Sequence, residues 1–224
     1  MEIKKIPFSE KNYVKERSKK TQIVLHHTVS GDNVSGVVAW WNSQSDKIAT
    51  HYIIDRQGVV YQLFEDDFWA YHLGLGNDHF KKFGLTFQNL NKSSIGIELM
   101  SWGPVLPSGD KYYPVKWDAA AKKHLPNTAA KFIDGYPEEY CGKGYRNFRY
   151  FEQYTSKQLG SLGGLLAKLC LDHGIPTQYK GDAFWEPNKT ALGGQPGIWG
   201  HVSYRPDKSD PHPQPTLVKL LKNV

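Results

Sequence analysis

Two short segments constrain this chain more than any others: "TQIVLHHT" at 21–28 and "SSIGIELM" at 93–100. Each is a brief, largely apolar run with β-branched residues, the pattern of a strand buried in a sheet. Between them, "SGVVAWWNSQ" (35–44) reads as a helix with an aromatic face. "THYIIDRQGVVYQLF" (50–64) reads as a hairpin turning at Arg56, Gln57 and Gly58. Further on, Thr155 and Gln158 make the capping-box pattern T-x-x-Q. Leu159, Leu162, Leu166, Leu169 and Cys170 then follow a helical stripe that Gly174 and Pro176 stop. Strands alternating with helices predict an α/β fold, a mixed central sheet flanked by helices. In such a fold the polar residues at strand ends collect in one crevice.

With 224 residues, 39% of them hydrophobic, the chain can bury a full core as one domain spanning 1–224. Positions 101–150 change character: they are rich in Lys, Tyr, Pro and Gly and keep no sustained period. They predict an elaborated surface insertion with one helix around 117–133. Positions 176–199 read as loop, and "TLVKLL" (216–221) as a short closing helix. Cys141 and Cys170 are too few for a disulfide framework, have no partner at metal-site spacing, and leave Cys170 as a small core residue. No apolar run approaches the roughly 20 residues that span a bilayer, so no membrane insertion is expected. The basic N-terminus has no apolar stretch behind it and does not read as a secretory signal. The expectation is a protein made in the cytoplasm that reaches any outside target by signal-independent release. The net charge of +6 is dispersed, and no zinc-finger, helix-turn-helix or aromatic ribonucleoprotein signature accompanies it. Nucleic acid is therefore not the expected partner, and a polyanionic envelope or cell wall fits the charge as well.

Three segments carry polar groups that chemistry could use. Side chains alternate along a strand, so His26 and His27 point to opposite faces and at most one serves a given site. In "SIGIELM", Ile95, Ile97 and Leu99 share one face while Glu98 lies on the other. A carboxylate there is costly unless it is paired, near a metal, or on a wet face. The third segment, "GHVSYRPDKSDPHP" (200–213), is poor in core residues and holds His201, Lys208 and Asp210. Alone it is an ordinary solvated loop. One imidazole from an early strand, another from this loop and one carboxylate would make a three-ligand zinc site of the catalytic type, with its fourth position open.

Six motifs in order carry a resemblance: "IVLHHTVSG", "THYIIDRQGVVYQL", "WAYHLG", "SIGIELM", "YTSKQLGSLGGLLAKLCLDHGIP" and "GHVSYRPDKSDP". The chain resembles the zinc-dependent N-acetylmuramoyl-L-alanine amidases, a family that also holds the peptidoglycan recognition proteins and amidase-type phage lysozymes. The likeness spans about 21–215, leaving out the 101–150 insertion. It implies zinc (Zn2+) held by His26, His201 and Asp210, with Glu98 as the acid–base group and Lys208 beside the aspartate as an oxyanion clamp. It also implies substrate contacts from His72 and Tyr71, where the family usually has Trp-His. Thr50, also expected among the substrate contacts, stands where other members have a catalytic tyrosine, which favours the glutamate branch, and His51 is either a support of the site floor or a substrate contact. "DPHP" replaces the usual "DPG", leaving His212 as a bystander, a substrate contact or a substitute ligand. Trp40, Trp41 and Trp69 are expected in core and cleft wall.

The resemblance implies hydrolysis of the amide between N-acetylmuramic acid and L-alanine, in peptidoglycan or a muropeptide, by a protein expected to be a monomer. A phage endolysin is the leading role. A cytosolic muropeptide-recycling amidase, a signal-free secreted effector and a non-catalytic peptidoglycan-binding module are the alternatives.

Overall fold

The computed structural model describes residues 2–224. In chain order they form β1 (Ile3–Lys5), β2 (Gln22–His27), α1 (Val34–Ser43), β3 (Tyr52–Ile54), β4 (Val60–Gln62), α2 (Asn77–Lys81), α3 (Leu90–Ser93) and β5 (Ser94–Leu99). There follow β6 (Pro104–Ser108), β7 (Lys111–Asp118), β8 (Lys123–Pro126), β9 (Glu138–Glu139), β10 (Tyr150–Phe151), α4 (Ser156–His173), α5 (Lys189–Leu192), β11 (Gly197–Gly200) and α6 (Pro215–Leu221). Among the described residues, six strands make one sheet in the order β1-β4-β3-β5-β2-β11, and five make a second, β8-β7-β6-β10-β9.

The first sheet is mixed as expected. β3, β5, β2 and β11 run parallel, and the β3–β4 hairpin is antiparallel. Every residue of β2 and β5 is buried, so both strands are covered on both faces. On one face Ile23, Leu25, Ile95, Ile97, Leu99, Tyr52 and Ile198 pack against the leucines of α4 and against Leu217 and Leu221 of α6. The reciprocal capping box of Thr155 and Gln158 opens α4, and Gly174, at φ 64°, closes it in the left-handed conformation that favours glycine. The opposite face carries two separate apolar clusters. Ile53 and Met100 join Trp41, Phe64 and Ala70, while Val24 and Trp199 join Leu73, Phe80 and Tyr204. His26 and Glu98 are partners in the β2–β5 register and lie on this second face, where alternation along each strand puts them.

Three features depart from the sequence pattern. Instead of a helix around 117–133 there is the β7–β8 hairpin, with Trp117 paired to His124. Tyr113, Val115 and Trp117 alternate with Pro114, Lys116 and Asp118, and the alanine run sits in the turn, where the Asp118 carboxylate accepts the Ala121 amide at 2.8 Å. The N-terminal segment adds β1, parallel to β4. The stretch 176–199, which reads as loop, ends in β11, four residues bounded by glycines and too short for a periodic signal.

The 101–150 segment grips the loop that follows β11. Tyr140 donates its hydroxyl to His212 Nδ1 at 2.8 Å, and His212 Nε2 donates to the Glu152 carbonyl at 3.2 Å. Phe151 stacks on the His212 ring at 4.8 Å, and Tyr145 donates to the Pro211 carbonyl at 3.3 Å. His212 is fully buried with both ring nitrogens engaged, so it is a structural residue and not a ligand. Tyr140→Phe should therefore strand a buried acceptor and lower unfolding free energy by about 1–3 kcal/mol in urea titrations. Tyr145→Phe, which removes a longer contact, should cost less.

Lys20 is buried on the same side of the sheet as His51, its ammonium donating to the carbonyls of Phe68 at 2.7 Å and Lys92 at 2.8 Å. Burial pushes it down from the ordinary 10.5 to about 7, against the pull of Asp66 and Asp67. With the folded value below the unfolded one, the unfolded chain holds more protons between those two values, and stability contributed at this site rises with pH across that window. The stability difference between the parent and Lys20→Met, measured by urea titration, should accordingly shift in the parent's favour from pH 7 to pH 9.5. A difference that stays flat with pH would overturn this reading.

Candidate metal centre and active site

His26 is the fifth residue of β2, and His201 immediately follows β11, the parallel neighbour of β2. Asp210 is tied to the same place because its carbonyl accepts the Val202 amide at 2.9 Å. Three side chains from distant parts of the sequence therefore converge. His26 Nδ1 lies 3.1 Å from His201 Nδ1, His201 Nδ1 lies 2.9 Å from Asp210 Oδ2, and His26 Nδ1 lies 3.3 Å from Asp210 Oδ2. All three residues are buried.

That triangle fits a metal ion. His201 Nε2 donates to the Leu73 carbonyl at 3.1 Å, so when this ring carries a single hydrogen it is on Nε2 and Nδ1 is the lone pair facing the centre. Burial, with His201 adding to it, pushes His26 down to about 4 against the pull of Asp210, so this imidazole is neutral at neutral pH. A bare nitrogen and a carboxylate oxygen 2.9 Å apart repel unless a cation or proton lies between them. Two imidazoles and one carboxylate are the donor set of a catalytic zinc site. Zinc–ligand bonds of about 2.0–2.1 Å place tetrahedral donors about 3.3 Å apart, close to the edges observed.

Glu98 sits beside His26 in the register. Its Oε2 is buried without a hydrogen-bond partner among the described residues. Burial pushes its carboxyl well above the usual range, with Asp210 reinforcing and Lys208 opposing the shift. Two clefts meet at this centre. One of about 630 Å³ is lined by Tyr71, His72, His201, Arg205 and Lys208, and one of about 580 Å³ by Thr28, Val29, Trp40, Trp41 and Glu98, with Ile48 lining both. Arg205 is engaged with Asp207 and the Gly74 carbonyl, whereas Lys208 has no carboxylate partner among the described residues.

The remaining residues expected from the sequence divide. Tyr71 is 43% exposed at the cleft and free to meet a ligand. Trp40, at 55%, is exposed on a cleft wall, while Trp41 and Trp69 are buried. Thr50 is corrected as a substrate contact, and of the two readings of His51 the floor support stands. Both are enclosed, the Thr50 hydroxyl donating to the Tyr52 carbonyl at 3.1 Å. His51 donates from Nε2 to Phe68 at 2.9 Å and accepts the Gly96 amide on Nδ1 at 3.1 Å, which makes it a floor support with no nitrogen left for substrate. His72 is also corrected as a polar substrate contact. Its ring borders the cleft, but Nδ1 lies 3.0 Å from His26 Nε2 and Nε2 lies 2.8 Å from Ser94 Oγ. His27 turns to the other face, 3.1 Å from the Tyr154 hydroxyl, and burial pushes it down to about 4. Ser94 and Asn91, whose Oδ1 accepts the amides of His72 and Leu73 at 3.0 Å each, have no signature in the sequence pattern.

Solved structures with the same fold include PlyL, 14% identical over 100% of both chains with a TM-score of 0.54. A mutant endolysin from Bacillus subtilis is 14% identical over 99% of this chain and 97% of its own, at 0.53. A selenomethionine derivative of AmpD is 16% identical over 98% and 94%, at 0.50. No curated protein sequence matches the chain. The profile of the N-acetylmuramoyl-L-alanine amidases matches residues 16–213, nearly the whole chain and every residue of the convergent site. The chain belongs to the N-acetylmuramoyl-L-alanine amidase family and is an amidase of peptidoglycan.

Proposed function

We propose that this amidase is a zinc hydrolase that cuts the bond between the lactyl group of N-acetylmuramic acid and L-alanine in intact cell wall, as an endolysin does. The observation that carries the zinc reading is the 2.9–3.3 Å triangle of His26 Nδ1, His201 Nδ1 and Asp210 Oδ2. These residues would hold the metal. When bound, zinc supplies the Lewis acidity that makes water nucleophilic near neutral pH and stabilises negative charge on oxygen.

Glu98 then has the position and proton affinity of the acid–base group. Its raised carboxyl can take the proton from attacking water and return it to the nitrogen of the departing L-alanine. Lys208, on the cleft wall and without a carboxylate partner among the described residues, would stabilise the oxyanion of the tetrahedral intermediate. Tyr71 and Trp40 present aromatic surface in the two clefts that flank the centre, which suits a substrate running across it in both directions. The net charge of +6 suits a polyanionic wall better than a small soluble product.

Purified protein should carry one zinc by elemental analysis, and His201→Ala and Asp210→Ala should lose both metal and activity. Glu98→Gln should keep the metal and lose about a hundred- to ten-thousand-fold in turnover. Lys208→Ala should keep metal and substrate affinity but lower turnover, with Lys208→Arg recovering only part. Turnover is read as free peptide released from intact sacculi and from soluble muropeptides, identified by mass spectrometry. Preference for muropeptides would replace the endolysin role with a recycling one, and full activity in metal-free protein would overturn the zinc reading.

A further inference from the structure

His72, Ser94 and Asn91 sit behind the convergent histidines. The Ser94 hydroxyl lies 2.7 Å from the Leu90 carbonyl, which can only accept, so the hydroxyl hydrogen is on that contact. Ser94 Oγ is then the acceptor for the ring nitrogen 2.8 Å away, and His72 carries its hydrogen on Nε2. His72 Nδ1 is consequently a lone pair, and the nitrogen 3.0 Å from it, His26 Nε2, must supply the hydrogen. His26 Nδ1 is left bare, facing His201 and Asp210. One hydroxyl on a helix carbonyl thus determines, through two rings, which nitrogen of His26 faces the centre.

The second ring is set from the same few residues. His201 donates to the carbonyl of Leu73, the residue after His72. The 72–73 backbone is pinned by Asn91 Oδ1, which accepts both amides. Gly96 completes the cradle: a Cβ there would come within 2.8 Å of Thr50 Cγ2 and 3.1 Å of His72 Nδ1, so the ring occupies space that a side chain would take.

We propose that His72, with Ser94 and Asn91, is a positioning unit that locks both imidazoles in the tautomer presenting Nδ1 and thereby sets the metal affinity of the centre. His72 acts through His26 and not by touching substrate. The proposal rests on the zinc reading for its metal but not for its tautomers. Outer partners of this kind typically change metal affinity by about ten- to a hundred-fold when removed, because they orient the ligand ring and raise its basicity.

Two measurements on the full chain test it. In metal-free protein at pH 7.5, long-range proton–nitrogen correlation spectra should show His26 and His201 both protonated on Nε2, and Ser94→Ala should blur that single form at His26. Zinc affinity by competition with a chromogenic chelator should fall about ten- to a hundred-fold in His72→Ala and by a smaller factor in Ser94→Ala. His72→Asn, whose amide oxygen can stand near the Nδ1 position, should recover most of the loss. Circular dichroism and the melting temperature of each metal-free variant separate this from unfolding. Folded variants that bind zinc within twofold of the parent, or a His26 protonated on Nδ1, overturn the proposal. A parent protein that binds no zinc but shows the Nε2 tautomers overturns the zinc reading and leaves the positioning unit standing.

Discussion

Four parallel strands running the same way are the constraint on which the rest of this molecule depends. Because β3, β5, β2 and β11 share a direction, their carboxyl ends lie at one edge of the sheet. His26 is one residue from the end of β2, Glu98 one from the end of β5, and His201 immediately follows β11. Open sheets of this kind bind ligands at that edge, where strands stop and loops diverge. A one-residue slip of β2 against β5 would turn His26 into the α4 core and bring His27 to the site. Register is therefore a condition of chemistry here as well as of packing. The uninterrupted apolar set of Ile23, Leu25, Ile95, Ile97 and Leu99 beneath α4 enforces it.

The second face shows how that sheet tolerates polar groups. A continuous core there would leave Glu98 and His26 with no solvent and no partners, at a cost of several kcal/mol for the carboxylate alone. The face is instead divided into two clusters, one around Trp41 and Phe64 and one around Leu73 and Trp199. Clefts open over the gap between them. The buried Oε2 of Glu98, without a hydrogen-bond partner among the described residues, is the polar atom this face leaves unsatisfied at the centre, which costs stability.

Much of this was legible in the residues themselves. The opposed faces of His26 and His27 follow from strand alternation, and the ends of α4 follow from Thr155, Gln158 and Gly174. The convergence of His26, His201 and Asp210 needed the ordered motifs, since a lone His–Asp spacing is uninformative. What escaped the sequence were interactions without periodicity. β11 is four residues long, and the Ala119–Ala121 run favours a helix that the Trp117–His124 pairing and the Asp118 turn override. For His51 the sequence left floor support and substrate contact open, because the choice depends on the Phe68 carbonyl and Gly96 amide, backbone groups that no side-chain pattern announces.

The same limit explains the departure at His212. In a loop the sequence presents a histidine two residues after Asp210, one corner of the candidate metal triangle, and chemistry alone makes it a candidate for the centre. The fold gives it to the second sheet: Tyr140 and the Glu152 carbonyl take its two nitrogens and Phe151 covers its face. The backbone amide of His212 in turn donates to the Tyr154 hydroxyl at 3.3 Å, which also meets His27 from the far side of the sheet. A loop holding a ligand must resist the repulsion of converging lone pairs. Here the rigidity around Asp210 comes from rings on neighbouring elements, since after the buried Val202 and Tyr204 the stretch 205–213 has no apolar side chain but its prolines. The 101–150 segment thus bears on the centre through the backbone that carries Asp210, although none of its side chains belongs to the triangle.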